Sequence, residues 1–228
     1  MNTNEPIYKT DFLDLFHCDN MELMAQYPDK YFDLAIVDPP YGININVSMG
    51  RRKGDKKSDY HKFAGEDKSI PSKEYYLELF RISKNQIIWG GNYMTEHLKP
   101  SKCWLIWDKM QEFTGSDFEM AWTSFDKASK AFRMTRIEAY SNNNKNEKDT
   151  GIKIHPTQKP VKLYEWLLHH YAKPTDKILD THLGSGSSRI AAYKGGYDFT
   201  GYEIDHDYYN DGNKRFNQFK SQTTIQFT

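Results

Sequence analysis

Two cysteines, Cys18 and Cys103, are all that the 228 residues contain, and neither sits in a paired-cysteine pattern. That excludes a disulfide-stapled scaffold and a cysteine-ligated structural zinc, and it fits a reducing compartment. No carboxylate cluster of nuclease type stands out either, so no metal is expected. No apolar run approaches the roughly 20 residues of a membrane span. The opening MNTNEPIYKTDF has neither the basic start nor the apolar core of a signal peptide, which makes the cytoplasm the expected location and a membrane an unexpected partner. No internal repeat and no Pro- or Gly-rich linker divides the chain, so one domain spanning residues 1–228 is expected.

Net charge is also lacking: 31 basic side chains balance 31 acidic ones. Their distribution is uneven. Residues 1–42 carry two basic and eight acidic groups, residues 43–64 six and two, and residues 127–153 seven and three. Two separated basic segments on a neutral chain suit a nucleic-acid face, although any one such run is as readily a solvated loop.

What is present is an alternation of apolar runs and amphipathic stretches. Asp19 is placed to cap a short helix before the strand YFDLAIVD, and Ser72 to cap KEYYLELFRIS. Strands are expected at QIIWG, CWLIWD, FEMAWTSF and AFRMTRI, with long polar loops at 42–71 and 140–151. A helix from Val161 to about Tyr171 precedes the strand KILDT, the helix SRIAAYK, the strand DFTGYEI and a last helix from about Tyr208. Alternating strands and helices predict an α/β, Rossmann-like fold: a mostly parallel sheet with helices on both faces that binds ligands at the carboxyl ends of its strands. The tryptophans Trp89, Trp104, Trp107 and Trp122 fall in strand patterns and read as core.

Two turns carry chemistry. In ILDTHLGSGSSRIAA, Gly184 and Gly186 allow a tight turn and close backbone approach at a helix N-terminus. Glu203 closes the next strand, 23 positions after Asp180, where a carboxylate can accept hydrogen bonds from ribose hydroxyls. Arg189 replaces the third glycine of a dinucleotide fingerprint, and no P-loop lysine follows, so NAD and ATP fit less well than a phosphate-free nucleoside such as S-adenosyl-L-methionine. The other turn is FDLAIVDPPYG. Asp38 closes a strand, Pro39 and Pro40 fix φ and remove two N–H donors while keeping their carbonyls, and Tyr41 adds a flat ring. That set suits an exocyclic nucleobase amine, whose lone pair is delocalised. Two acceptors, Asp38 and the Pro39 carbonyl, take its hydrogens and localise the pair, while Tyr41 stacks on the extruded base.

HPTQKP, His155 to Pro160, lies between these turns. The three motifs in this order resemble the β class of DNA amino-methyltransferases, of the small phage or restriction-modification type, whose motif order is circularly permuted. The resemblance runs from about Phe12 to Phe219. It implies a class I S-adenosylmethionine-dependent methyltransferase fold, with a catalytic half at about 1–125, a target-recognition insert at about 126–154 and a cofactor half at about 155–228. It assigns Asp38, Pro39, Pro40 and Tyr41 to catalysis. Asp180, Leu183, Gly184, Ser185, Gly186 and Glu203 go to the cofactor, with Thr157, Gln158 and Lys159 near its methionine end. Asp38 in first place favours N6 of adenine over N4 of cytosine. The chain departs from the family in reading Thr181 and His182 where Pro-Phe is common, and Ser187 where threonine is usual.

The resemblance also implies double-stranded DNA and a homodimer as partners. Arg51, Arg52, Lys53, Lys56 and Lys57 in the first basic segment, with Arg133 and Arg136 in the second, are the candidate phosphate contacts. Methylation of RNA or of a protein glutamine amide and a catalytically silent DNA-binding subunit are the other readings. Asp38 with the permuted order argues against the first two, and the retained acid and glycine turn against the third.

Overall fold

The computed structural model describes residues 8–10, 13–44, 67–110, 116–135, 138–139, 154–155 and 157–224. Among these, nine strands make one sheet: β1 (Tyr8–Thr10), β2 (Leu13–His17), β3 (Phe32–Val37), β4 (Ser83–Trp89), β5 (Trp104–Asp108), β6 (Phe118–Thr123), β7 (Lys130–Arg133), β8 (Lys177–Asp180) and β9 (Asp198–Glu203). Their order across the sheet is β1-β2-β9-β8-β3-β4-β6-β5-β7. The strands β2, β9, β8, β3 and β4 run parallel, β6 runs against β4 and β5, and β7 is parallel to β5. Helices α1 (Asn20–Met24), α2 (Lys73–Ile82), α3 (Val161–Tyr171), α4 (Ser187–Gly195) and α5 (His206–Thr224) complete the fold. The last helix starts two residues earlier than the sequence suggests. The sequence reading has no counterpart of β1 or β2. Lys130–Arg133, at the start of the expected recognition insert, is a sheet strand.

Period-two alternation sorts the sheet's side chains onto two cores. Leu34, Ile36, Ile87 and Trp89 pack with Leu163, Leu167 and Ile190 on the face covered by α3, α4 and α5. Ala35, Val37 and Ile88 pack with Leu23, Tyr76 and Leu79 on the face covered by α1 and α2. Trp89, Trp107 and Trp122 are buried, as expected, and Trp104 is half-buried. Asp19 caps α1 through a 2.7 Å bond from the Met21 amide. Ser72 occupies the N-cap position of α2, but its side chain makes no capping bond.

The parallel strands β8 and β3 are neighbours, with Leu34 opposite Ile178 and Ala35 opposite Leu179. The chain leaves this pair in opposite directions, to β9 on one side and β4 on the other, which makes it a switch point where α/β sheets open a crevice. Asp38, directly after β3, and Asp180, the last residue of β8, are far apart in sequence yet stand at these neighbouring strand ends. The antiparallel β6 brings its first residues, Phe118 and Glu119, to the same edge.

Candidate active site

The turn after β3 folds back on itself. Tyr41 Oη donates to Asp38 Oδ1 at 2.7 Å. Gly42 then takes a positive φ of 72°, and its amide donates to Asp67 Oδ1 at 2.9 Å. Gly90, directly after β4, makes room for the tyrosine. Its φ is +69°, and a Cβ there would lie 2.7 Å from Tyr41 Cζ and closer still to Cδ1 and Cε1. Tyr41 does not stand with both faces open: its ring stacks on that of Tyr93, with centroids 5.3 Å apart and planes 19° from parallel. Tyr93 itself is 43% exposed at the rim.

The second oxygen of Asp38 accepts from the Lys159 ammonium. Lys159 also donates to Tyr41 Oη at 3.1 Å and lies 3.1 Å from Glu119 Oε2. Its three protons therefore meet three acceptors, and its side chain is only 1% exposed. It rides 5.2 Å above the Trp89 ring centroid. Glu119 continues the chain, its Oε1 standing 2.9 Å from Lys109 Nζ. Burial raises the pKa of Asp38, and Lys159 offsets this only in part. Burial pushes Glu119 upward too, but the Lys159 and Lys109 ammoniums overcome it and hold that carboxyl down at about 2.

The turn after β8 is braced from three directions. Asp180, buried, accepts from the His182 amide at 3.0 Å and from Ser188 Oγ at 2.6 Å. Burial lifts its pKa from 3.8 to about 7 against these bonds. Glu203 accepts from the Gly184 amide at 2.7 Å through Oε2 and from the Asp205 amide at 2.9 Å through Oε1. Arg215 donates to the Ser185 carbonyl at 2.8 Å and to Ser187 Oγ at 2.9 Å. Gly184 and Gly186 have φ of +50° and +72°, and a Cβ on Gly186 would meet nothing within 4 Å. Open space therefore lies off Gly186. Leu183 and Ser185 are buried beneath it. His182 packs edge-on to Tyr75 at 5.4 Å, and burial lowers its pKa to about 4, so near neutral pH it is an uncharged ring.

The His155–Pro160 element joins the two turns. His155 lies on the glycine side, packed against Tyr208 at 4.3 Å and facing Gly184. Its Nδ1 is bonded by Thr157 Oγ1 at 3.0 Å. Gln158, buried, holds the Ile154 amide at 3.0 Å. Lys159 points to the other turn, so its ammonium ends on Asp38, not beside Gly184. All three motifs meet at one sheet edge.

A DNA methylase family profile matches residues 67–214. The chain belongs to that family. It is a DNA methyltransferase of the N6/N4 type, and S-adenosyl-L-methionine is its methyl donor. The methylase is 24% identical over 249 residues to the type II methyltransferase M2.LlaDCHI of Lactococcus lactis subsp. cremoris, covering 94% of this chain and 93% of that one. Its fold is similar to that of the cytosine-N4-specific PvuII DNA methyltransferase, with a TM-score of 0.63 at 16% identity, covering 94% and 90% of the two chains. It is similar also to M1.HpyAVI, solved with S-adenosylmethionine, with a TM-score of 0.56 at 17% identity over 90% and 99%.

Sequence reasoning does not reach Glu119, Lys109, Gly90, Tyr93 or Arg215. For Glu119 a signal exists: it is the one charge in FEMAWT, and a carboxylate in a buried strand needs a cationic partner. Of the candidate DNA contacts, Arg133 ends β7 with its side chain 65% exposed, 3.5 Å from Asp108. Arg51, Arg52, Lys53, Lys56, Lys57 and Arg136 lie outside the described residues. Among the described residues no helix is long and apolar enough to cross a membrane.

Proposed function

We propose that this methylase transfers the methyl group to the exocyclic N6 of an adenine flipped out of double-stranded DNA. The supporting observation is Lys159 on Asp38 while His155, four residues earlier, lies against Gly184. Contacts from residues four positions apart thereby reach both the amine-binding turn and the cofactor turn across the β8/β3 crevice. The residues around the glycine turn fit the cofactor: Gly186 opens onto space, and Glu203 is fixed by the Gly184 amide beside it with further lone pairs to accept ribose hydroxyls. Asp180, Leu183, Ser185, Thr157 and Gln158 shape the rest of that cradle. When bound, S-adenosylmethionine supplies an electrophilic methyl on a sulfonium.

The chain's own residues do the remaining work. Asp38 and the Pro39 carbonyl accept the two amine hydrogens and turn the nitrogen lone pair toward the methyl. Each carboxylate oxygen of Asp38 holds one donor already and has a second lone pair for the substrate. Pro40 keeps the turn stiff, and the Tyr41–Tyr93 pair forms the stacking platform, worth about 1–3 kcal/mol per base against a flipping cost of a few. Orientation of the two reacting atoms can lower the barrier by roughly 7–11 kcal/mol. The amine proton leaves to water. Residues 1–228 act as one domain in this reading, the basic segments grip phosphates, and the working unit is a homodimer.

The test is transfer from radiolabelled S-adenosylmethionine to unmethylated genomic DNA, digested to nucleosides and separated. Label in N6-methyladenine is the expected result. Label in N4-methylcytosine overturns the choice of base but keeps the amine mechanism, which the resemblance to the cytosine-N4 enzyme leaves compatible. No label on DNA with cofactor bound overturns the reading.

A further inference from the structure

Four charges form a line into the reaction site: Asp38, Lys159, Glu119 and Lys109. Their order matters. The Lys159 ammonium sits at hydrogen-bond distance from the carboxylate that has to hold the substrate amine. Methyl transfer places positive charge on that nitrogen as its bond to carbon forms and the carbon–sulfur bond breaks, until the proton leaves to water. An ammonium fully committed to Asp38 would oppose this charge and weaken the carboxylate as an acceptor. Glu119 changes the balance, because its Oε2 is 3.1 Å from the same ammonium. Asp38, Lys159 and Glu119 together carry net negative charge, and Lys109, further toward solvent, anchors Glu119 from behind.

We propose that Glu119 is a positioning residue of the methyl transfer: by sharing Lys159 it keeps an Asp38 oxygen available to the substrate amine, and Lys109 sets how strongly it does so. The inference rests on the function proposed above. Its groups are distributed over separate elements: Asp38 and Tyr41 follow β3, Glu119 is on β6, Lys109 follows β5, and Lys159 precedes α3. Among the described residues, Asp180 at the end of β8 faces Asp38 and Tyr164 on α3 faces Tyr41.

The test measures methyl transfer to unmethylated genomic DNA across pH for the wild type, Glu119→Gln and Lys109→Met, with S-adenosylmethionine binding followed by calorimetry. Without the Glu119 charge, the nearby ammonium makes Asp38 less basic. The acid limb of kcat then moves down by roughly one to two pH units. The plateau kcat falls about tenfold or more, because a weaker base is a weaker acceptor. Cofactor binding is retained. Lys109→Met leaves Glu119 less compensated, so its acid limb moves up by about one unit or less. A merely structural role for Glu119 would not produce opposite shifts in the two variants. An unchanged acid limb in Glu119→Gln overturns the inference. Should that variant fail to bind cofactor, Lys109→Met decides: an upward shift supports the inference and no shift overturns it. A wild type that leaves DNA unlabelled removes the function itself, and the inference falls with it.

Discussion

Gly90→Ala is the smallest change that reaches the turn after β3 without replacing any of its residues. The left-handed backbone at Gly90, φ +69°, costs an L-residue about 1–2 kcal/mol more than glycine. The added methyl would lie 2.7 Å from Tyr41 Cζ and nearer two other ring atoms, whereas carbon contacts settle at roughly 3.5–4.0 Å. The ring therefore has to move by about 1 Å or more. That displacement stretches the 2.7 Å bond from Tyr41 Oη to Asp38, and a hydrogen bond to a charged group contributes about 1.5–3 kcal/mol. Together these predict a loss of up to roughly 2.5–5 kcal/mol in stability. They also predict a fall in turnover of about 10²-fold, the scale of a 1 Å misplacement at a reacting centre. Cofactor affinity should change little, because Gly90 touches nothing in the glycine turn. Thermal unfolding, calorimetric S-adenosylmethionine binding and steady-state methyl transfer measure the three effects. Wild-type turnover in Gly90→Ala would refute the claim that Tyr41 has to stand where it does.

Asp180 gives a pH signature. Its pKa is about 7 when folded against 3.8 ordinarily, so the folded chain keeps a proton there that the unfolded chain has lost. The stability this group contributes is fully present below pH 3.8 and is lost as pH rises to about 7. Asp180→Asn keeps an acceptor for the His182 amide and removes the titration. Its melting temperature should fall less than the wild type's over that window, and identical slopes would contradict the account. Tyr93→Ala removes half of the stacking platform. It should raise the KM for DNA by about 5–150-fold, the equivalent of one stacked base, and leave cofactor affinity unchanged; an unaltered KM would place the base elsewhere.

The local structure of this methylase is legible because its strands and helices declare themselves by period. The Val161–Tyr171 helix matches its sequence pattern in both bounds, and β3 ends at Val37, one residue before the Asp38 that the pattern gives as its close. The glycine turn reads from its spacing. β2 is harder: Leu13 and Leu15 alternate with Asp14, but the run is only five residues long and follows another strand of three. The site's connections are not local at all. Lys159 reaches Asp38 across 121 positions, and Glu119 joins them only because β6 runs antiparallel to β4. The resemblance puts Lys159 near the methionine end of the cofactor, and its bond to Asp38 is a contact that only the packed fold makes. Likewise Gly90 looks like an ordinary end of strand until Tyr41 folds over it.

Asp38→Ala tests the central claim most directly, namely that the turn after β3 activates the substrate amine while the turn after β8 holds the methyl donor. The variant should bind S-adenosylmethionine within about threefold of the wild type and lose methyl transfer to DNA by at least roughly 10²–10³-fold, the scale of removing a preorganised electrostatic partner. Retained turnover in Asp38→Ala would contradict the account.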